Sequence, residues 1–511
     1  MKWVCAQSKT HSYVSPMIYS VGVIYADTMK SILDGVCFGD TVAYCKDMVM
    51  YWYAMVPALD KAAKKAFEIV KKDPAYLHNL RNKFVEFAPT IVEFAHGVSK
   101  KDLKTFSDKE LWGLYNKYLK MYDEIYTYGE PITLGLNDSL GGYLRDYLEK
   151  KTKSKKDLTK YYNTLISPTE MSFIKREEID LLKIGVIIKN TKGVVKLFNH
   201  DIKSIKNGLN NFPEINKMIN DHVKAYEWVP YDYGVTTWTK DYFLDALKII
   251  LDRGDILERL DQDENYYKKL SLDQEGAIVK LNIDNKHSLL FQALRDCAFL
   301  MDYKKEEFTK SHLYIRPLIV EIARRFGLTR IECRYLLPEE IKKYLLSGKK
   351  PNKELIHSRT KLCLVYWKGR KVSIYEKDKV QEIFDSLIKE PETSEIAREK
   401  FKIDGIIASS GKAVGKVKVV KSSDDIAKVN DGDILVAVMT SPDYVVGMKK
   451  AAAIITDEGG ITCHAAIVSR ELGVPCIVGT KIATKHLVDG ELLEVNANHG
   501  SVRIVKKRNK E

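Results

Sequence analysis

The sequence predicts a multidomain protein in which a mostly α-helical N-terminal region is followed by a compact α/β domain. Three observations support this fold class. The chain has 511 residues, which is too long for one ordinary hydrophobic core. Most of its first part carries apolar residues at helical spacing. The last part alternates short apolar runs, helical segments and glycine turns, which is typical of an α/β domain.

Four segments follow one another along the chain. Residues 1–60 are rich in β-branched and aromatic residues, which predicts a small β-containing element. Residues 61–388 are predicted to be mainly helical, with a β-hairpin near 361–378. Residues 389–402 are charged and almost free of large apolar residues, as expected of a linker and hinge. Residues 403–511 form the predicted α/β domain.

Local signals indicate where individual helices begin and end. In SPTEMSF, Ser167, Pro168 and Glu170 form a capping pattern that predicts a helix start. Pro338 and Gly348 are expected to bound another helix. A tyrosine stripe at helical spacing is predicted to face the core; it comprises Tyr115, Tyr118, Tyr122 and Tyr126.

Composition argues against several classes of protein. The net charge is +13, but the basic residues are dispersed, so we expect a solvated surface and no nucleic-acid partner. The eight cysteines form no C-x-x-C pair and the histidines have no ligand spacing, so no metal site is predicted. The scattered cysteines suit reduced thiols in the cytoplasm. No stretch reaches the roughly 20 apolar residues of a membrane helix.

The segment TDEGGITCHAAIVSRELGVPCIVG carries the clearest chemical signal. It reads as a strand, a turn at Gly459 and Gly460, and a helix that begins near Thr462 or Cys463. His464 then lies in the first helical turn, beside unpaired amides that favour anions and disfavour an imidazolium. A neutral histidine there can attack phosphorus, and the glycines, the Thr462 hydroxyl and the amides can position the phosphate. For a lone histidine, the alternative is one that caps or packs the helix.

This segment closely resembles the phosphohistidine segment of phosphoenolpyruvate synthase and pyruvate phosphate dikinase. SSGKAVGKVKVV and the stretch GDILVAVMTSPDYVVGMKKAAAIIT resemble earlier strands of the same swivelling domain, so the resemblance extends from Ile403 to Val505. It implies a β/β/α swivelling fold in which His464 is phosphorylated and carries the β-phosphoryl group of ATP. Thr462 corresponds to the threonine that a regulatory kinase modifies in some members.

The rest of the chain departs from those enzymes, because it shows neither an ATP-grasp pattern nor a phosphoenolpyruvate-binding barrel. Its helical region is similar to that of rifampicin phosphotransferase, and its layout resembles split systems such as phenylphosphate synthase. This resemblance implies an ATP-dependent phosphotransferase component that is inactive alone. Mg²⁺ and ATP are then expected on a separate ATP-grasp subunit, like the N-terminal part of pyruvate phosphate dikinase, with no cofactor on this chain.

The acceptor and the route of transfer remain open at the level of sequence. Four aromatic residues in the segment HVKAYEWVPYDYG either form one wall of a pocket for a small organic acceptor or pack in the core. They are Tyr226, Trp228, Tyr231 and Tyr233. A charged cluster forms either a solvated face or a contact with phosphate or the docked domain; it comprises Arg295, Asp296, Asp302, Lys304 and Lys305. Arg470 is expected at the surface or in an ion pair. Two alternative functions are a phosphoryl relay to another protein, like enzyme I of sugar phosphotransferase systems, and a non-catalytic regulator.

Overall fold

Helices dominate the first part of the protein and a curled mixed sheet with helices makes up the last part, so the predicted fold class is confirmed. The computed structural model describes residues 3–10, 14–47, 49–129, 131–231, 237–388, 403–421, 423–440, 444–460, 463–480, 482–498 and 500–506. The predicted linker at 389–402 lies outside the described residues, and the domain boundaries stay predictions.

Strands from both ends of the helical region form one antiparallel sheet. Its elements, with the first helix, are β1 (Trp3–Thr10), α1 (Tyr19–Ala26), β2 (Thr41–Lys46), β3 (Val49–Met55), β4 (Leu362–Lys368) and β5 (Lys371–Glu376). The strand order is β1-β3-β2-β4-β5, so the predicted hairpin is added to the N-terminal strands. Trp52 and Trp367 stack beneath the sheet with ring centroids 5.1 Å apart.

A long central helix organises the region between these strands. The helices are α2 (Val56–Lys72), α3 (Tyr76–Phe87), α4 (Pro89–Ser99), α5 (Asp108–Gly129), α6 (Pro131–Glu149), α7 (Lys155–Ile166), α8 (Phe173–Asn190), α9 (Val194–Leu197), α10 (Ile202–Gly208), α11 (Pro213–Tyr226), α12 (Lys240–Arg253), α13 (Ile256–Lys280), α14 (Asn285–Phe326), α15 (Arg330–Cys333), α16 (Pro338–Ser347) and α17 (Lys353–Lys361), with α18 (Asp378–Leu387) after the hairpin. Helix α14 has 42 residues and contacts α3 to α6. The tyrosine stripe of α5 is buried, as predicted.

One predicted helix start is wrong. The helix expected to begin at Ser167 is α8, which begins at Phe173 after Ser172. The Ser172 hydroxyl accepts a hydrogen bond from the amide of Lys175 at 3.1 Å, which is the bond that caps a helix. Glu170, predicted to complete a capping box, instead pairs with Arg81. Two serines five residues apart can both serve as caps, and the tertiary ion pair decides between them.

The second helix predicted from local signals is confirmed. Helix α16 has Pro338 at its first position, and Gly348 follows its end with a φ of +67°. This left-handed conformation costs glycine little.

The C-terminal region is a curled mixed sheet with three short helices. Its elements are β6 (Ile403–Asp404), β7 (Ile406–Ser409), β8 (Lys412–Val420), β9 (Ile434–Ala437), α19 (Val445–Lys450), β10 (Ala453–Thr456), α20 (His464–Glu471), β11 (Cys476–Val478), α21 (Ala483–His486), β12 (Leu492–Asn496) and β13 (Ser501–Lys506). The strand order is β6-β13-β12-β8-β9-β10-β11-β7. Strands β8 to β11 are parallel, and β9 and β10 are completely buried, as central parallel strands usually are.

The C-terminal region packs directly on the helical region. One hydrophobic cluster includes Phe173 of α8 and Phe243 of α12 together with Met448 of α19 and Ala465 of α20. Ala465, which follows directly on His464, therefore belongs to a core shared by the two regions. No helix among the described residues combines the length and apolar composition needed to cross a membrane.

Candidate functional site

His464 meets Thr440 at the carboxyl edge of the parallel strands. Strands β9 and β10 are parallel neighbours, with Ala437 opposite Thr456. The chain segments that leave their carboxyl ends are therefore adjacent, which is where α/β folds commonly place their sites. Thr440 follows β9 and His464 follows β10, and their Oγ1 and Nδ1 atoms are 2.8 Å apart. Sheet order thus joins two residues that are 24 positions apart.

The loop between β10 and α20 is tied down on both sides. The amides of Asp457 and Glu458 donate to the carbonyl oxygens of Ala437 and Val438 at 3.0 and 2.8 Å. The buried Asp457 carboxylate accepts hydrogen bonds from the Thr480 hydroxyl at 3.0 Å and from the Thr484 amide at 3.2 Å. These contacts link the loop to β9 and to the segment after β11, so the start of α20 has a fixed position.

Glycine is required at the turn before His464. Gly459 has a φ of +105°, and a Cβ atom there would lie 2.7 Å from Cys463 Sγ, closer than such atoms approach. Cys463 is the N-terminal flanking residue of α20, and its amide donates to the Gly460 carbonyl at 3.0 Å. The predicted role of Gly459 in shaping the turn thus has a steric basis. Thr462 lies outside the described residues.

The imidazole of His464 is neutral and has one nitrogen unengaged. Burial, and secondly the positive charge of Lys305, lower the pKa of His464 well below its usual value. Nδ1 contacts the Thr440 hydroxyl, whereas Nε2 is buried and has no hydrogen-bond partner among the described residues. In the tautomer in which Nδ1–H donates to Thr440, Nε2 carries a free lone pair. This is the form of histidine that can act as a nucleophile.

Side chains of α20 beyond His464 face the helical region. Glu471 accepts hydrogen bonds from the Ser172 amide at 3.3 Å, from the Ser172 hydroxyl at 2.6 Å and from Tyr267 at 3.2 Å. Burial raises the pKa of Glu471. Arg470 lines a crevice between α20 and α14, so it lies at an interface and not on an open surface.

A second electrostatic contact joins the two regions. Lys449 of α19 lies 3.9 Å from Glu177 of α8. Burial alone would raise the pKa of Glu178, but the charges of Lys449 and Lys175 outweigh it and lower the pKa to about 2. Glu178 is therefore ionised at neutral pH and favours the docked arrangement.

The crevice between α20 and α14 is narrow. Its walls include Ile467, Arg470 and Glu471 from α20 and Ala298 and Asp302 from α14. The free volume is about 30 Å³, which holds only one or two water molecules. A drug-sized ligand needs several hundred Å³. A substrate of that size therefore does not fit in the crevice while the regions are docked as described.

The predicted aromatic wall is divided between different environments. Trp228 is buried against Phe173, with ring centroids 5.2 Å apart, and Tyr226 donates to Asp180 at 2.6 Å. Tyr231 is buried and accepts a hydrogen bond from Arg330 at 3.0 Å. Tyr233 lies outside the described residues. An acceptor pocket formed by these residues stays a prediction.

The charged residues of the predicted cluster on α14 also lie in different environments. Asp296 is fully buried and pairs with Arg81 at 2.8 Å, and Arg295 and Lys304 are buried too. A solvated face is therefore wrong for these three residues. Asp302 accepts a hydrogen bond from the Phe173 amide at 3.3 Å and faces α20.

Thr440 was not identified from the sequence. The signal available was a pair of polar residues, Thr440 and Ser441, that follows the apolar run ILVAVM. A strand that ends at the carboxyl edge of a parallel sheet delivers such residues to the site. That inference requires knowing that β9 and β10 are neighbours, which the motif around His464 does not reveal.

The C-terminal fold and this geometry define an α/β domain with a neutral histidine at a helix start, whose Nε2 atom has no hydrogen-bond partner among the described residues. Residues 429–500 match the family described as PEP-utilising enzyme, mobile domain. The C-terminal part of the chain is therefore a mobile domain of the phosphoenolpyruvate-utilising type.

Curated relatives match the same part of the chain. A probable phosphoenolpyruvate synthase of Archaeoglobus fulgidus is 60% identical over 121 residues, or 23% of this chain and 16% of that protein. The phosphoenolpyruvate synthase of Pyrococcus furiosus is 52% identical over 111 residues, 22% of this chain and 14% of its own length. The uncharacterized phosphotransferase YvkC of Bacillus subtilis is 43% identical over 105 residues, 20% of this chain and 13% of that protein. The matched segment is thus a small part of these relatives.

Proposed function

We propose that this protein is the phosphohistidine-carrying component of a phosphotransferase, in which Nε2 of His464 accepts a phosphoryl group and passes it to an acceptor. The observation that carries the proposal is the state of the His464 ring. Its low pKa keeps it neutral, Thr440 engages Nδ1, and Nε2 is left without a partner among the described residues. The mobile-domain match at 429–500 supports the same reaction class.

The chemistry follows from the tautomer. The Nε2 lone pair attacks the β-phosphorus of ATP, a P–N bond forms, and the P–O bond to AMP breaks with its electron pair passing to the AMP oxygen. Water then cleaves the bond between the β- and γ-phosphates, which releases phosphate and leaves the β-phosphoryl group on Nε2. Thr440 holds the proton on Nδ1 throughout, which keeps the attacking nitrogen aimed and unprotonated. In the second half-reaction an acceptor oxygen attacks phosphorus, and the P–N electron pair returns to Nε2.

The donor in this proposal is Mg²⁺-ATP bound to a separate ATP-grasp subunit. The sequence contains no G-x-x-x-x-G-K-[ST] segment, and the described part of the helical region consists of packed helices and one antiparallel sheet. Breaking a phosphoanhydride needs a clamp of Mg²⁺ and cationic side chains. A partner subunit would supply that clamp when the mobile domain swings to it.

The acceptor in this proposal is a small organic molecule that reaches the helical region. The position of α20 supports this choice, because its side chains line a crevice together with side chains of α14 in the helical region. Transfer between two sites then requires the mobile domain to leave one partner before it meets the other, a step of the kind that often limits turnover.

The test is to label the protein in an extract of its own cells. Affinity-tagged wild type and His464→Ala are incubated with Mg²⁺ and ATP labelled at the β-phosphate, then recovered and analysed for acid-labile, base-stable label. Wild type is expected to carry the label and His464→Ala none. Equal acid-labile label on both proteins would end the proposal. Purified wild type that labels as fast without extract would contradict the separate subunit.

A further inference from the structure

We propose that Lys305 of α14 binds the phosphoryl group on His464, so that the phosphohistidine site is completed by the helical region when the mobile domain docks. The inference rests on the proposed function and adds a second chain segment to its site. The ligand class is a phosphoryl group linked to nitrogen, and the binding group is an ammonium.

Helix geometry brings the two residues to the same end of the interface. Ala298 and Asp302 of α14 line the crevice opposite Ile467 of α20. Residues three or four apart share one face of a helix. Lys305 therefore lies on the crevice-facing side of α14, one turn after Asp302. His464 lies on the crevice-facing side of α20, one turn before Ile467.

Electrostatics supports this juxtaposition independently. Among the charged side chains that the structure describes, Lys305 is the one whose charge acts on the His464 ring, where it opposes protonation. The Nε2 atom is buried without a partner, so a phosphoryl group attached there would enter an enclosed space. Its two negative charges need a cation in that space.

The other charged groups around the site make Lys305 the suitable cation. Asp302 and Glu471 are carboxylic acids whose pKa values are raised, mainly by burial, and they offer no attraction to a phosphate. Arg470 lies further along α20 and lines the crevice with them. A lysine binds phosphate as a point charge and does not need a fixed fork of hydrogen bonds, which suits a phosphoryl group that arrives and leaves.

The experiment measures the ionisation of the phosphoryl group itself. The full-length protein is phosphorylated in the labelling extract with unlabelled ATP, or with phosphoramidate, a small-molecule phosphoryl donor. Phosphorus-31 NMR then follows the phosphohistidine resonance against pH in wild type, Lys305→Gln, Lys305→Arg and Lys286→Gln. His464→Ala assigns the resonance. Lys286 is an exposed lysine at the start of the same helix, so its variant matches the change in charge.

A cation that contacts the phosphoryl oxygens favours the dianion and lowers the second pKa of the phosphoryl group. We expect Lys305→Gln to raise that pKa by about one unit, Lys305→Arg to restore the wild-type value, and Lys286→Gln to leave it unchanged. The pKa of the unphosphorylated His464 ring, measured by proton–carbon NMR, should rise in Lys305→Gln as well. A residue that only supports folding would not move these two values in a protein with a normal melting temperature.

Two outcomes of this experiment distinguish a failure of the Lys305 proposal from a failure of the proposed function. If His464 is phosphorylated but its phosphoryl pKa is the same in wild type and Lys305→Gln, the role of Lys305 is wrong and the proposed function stands. If neither the extract nor phosphoramidate phosphorylates His464, the proposed function fails and this inference fails with it.

Discussion

At the scale of single residues, the hydroxyl of Thr440 fixes the reactive form of His464. Replacing Thr440 with valine keeps the shape and removes the hydroxyl, so Nδ1 loses its partner and the ring can adopt the wrong tautomer. A lost hydrogen bond of this kind is worth about 1 kcal/mol, so the initial rate of His464 labelling should fall roughly five- to tenfold. Thr440→Ser keeps the hydroxyl and should label at nearly the wild-type rate. An unchanged rate in Thr440→Val would show that the 2.8 Å contact does not orient the ring.

Gly459 offers a second residue-scale prediction with an internal control. Gly459→Ala places a methyl group 2.7 Å from Cys463 Sγ at a φ of +105°, whereas Gly473 has a φ of +66° and open space around it. Gly473→Ala suffers left-handed backbone strain of about 1 kcal/mol. The φ of Gly459 lies outside that region, so Gly459→Ala suffers at least as much strain, and it also adds a steric clash. We expect Gly459→Ala to lower the free energy of unfolding in urea by about 1 kcal/mol more than Gly473→Ala, and to slow His464 labelling. Equal losses for the two variants would contradict the steric account.

The sequence predicted those parts of the site that are contiguous in the chain. The glycine turn, the helix start and His464 lie within one short segment, where local rules for turns and helix termini apply. Thr440 and Lys305 could not be predicted as neighbours of His464, because one contact depends on strand order and the other on how two regions dock. Local rules also placed the start of α8 at Ser167 and not at Ser172, because the ion pair of Glu170 with Arg81 is a tertiary contact that local rules do not reveal.

At the scale of elements, the start of α8 links a helix cap to domain docking. The Ser172 hydroxyl caps α8 and also donates to the half-buried Glu471 of α20. Ser172→Ala should therefore cost about 1 kcal/mol for the cap and about 1 kcal/mol more for the weakened bonding of the Glu471 carboxyl group. Hydrogen exchange of the α20 amides should become faster, because the docked interface opens more often.

Ser154 provides the matched control for this prediction. Its hydroxyl caps α7 by accepting from the Asp157 amide at 3.1 Å, and α7 packs against α6, α13 and α14. Ser154→Ala should lower stability by about 1 kcal/mol without changing exchange in α20. If both variants accelerate exchange in α20 equally, the effect is general destabilisation and the Ser172–Glu471 contact has no special role in docking.

The sequence predicts the secondary structure and fold class of each region better than it predicts how the regions and strands assemble. Helical periodicity identified the long helical region, and alternation of short apolar runs with glycine turns identified the C-terminal α/β region, since both patterns are local. The N-terminal strands and the hairpin were each predicted, but the single sheet that joins β1 to β3 with β4 and β5 was not. Its strands pair across more than 300 residues of the chain, as Thr41 does with Trp367. Pairing at that separation leaves no local signal in the sequence.

At the scale of the whole molecule, the proposed function requires the mobile domain to visit two sites, and the docked arrangement is one of these two states under that proposal. The crevice beside α20 has a free volume of about 30 Å³, and the Nε2 atom of His464 is buried. We therefore expect that a nucleotide does not reach that nitrogen while the two regions are in contact. Locking the contact should therefore abolish labelling by the donor, even though every residue of the histidine site is intact.

The variant for this test carries Ser172→Cys and Glu471→Cys, which replace a hydrogen-bonded pair across the interface. An ethane-linked bismethanethiosulfonate joins the two thiols and a reductant releases them, and peptide mass confirms the link. We expect the linked protein to label at least tenfold more slowly than the same protein after reduction, since the donor must meet an exposed Nε2. Each single-cysteine variant, treated in the same way, controls for modification of Cys463. Full-rate labelling of the linked protein would mean that the donor reaches His464 in the docked state, and the nucleotide site would then have to lie beside α14.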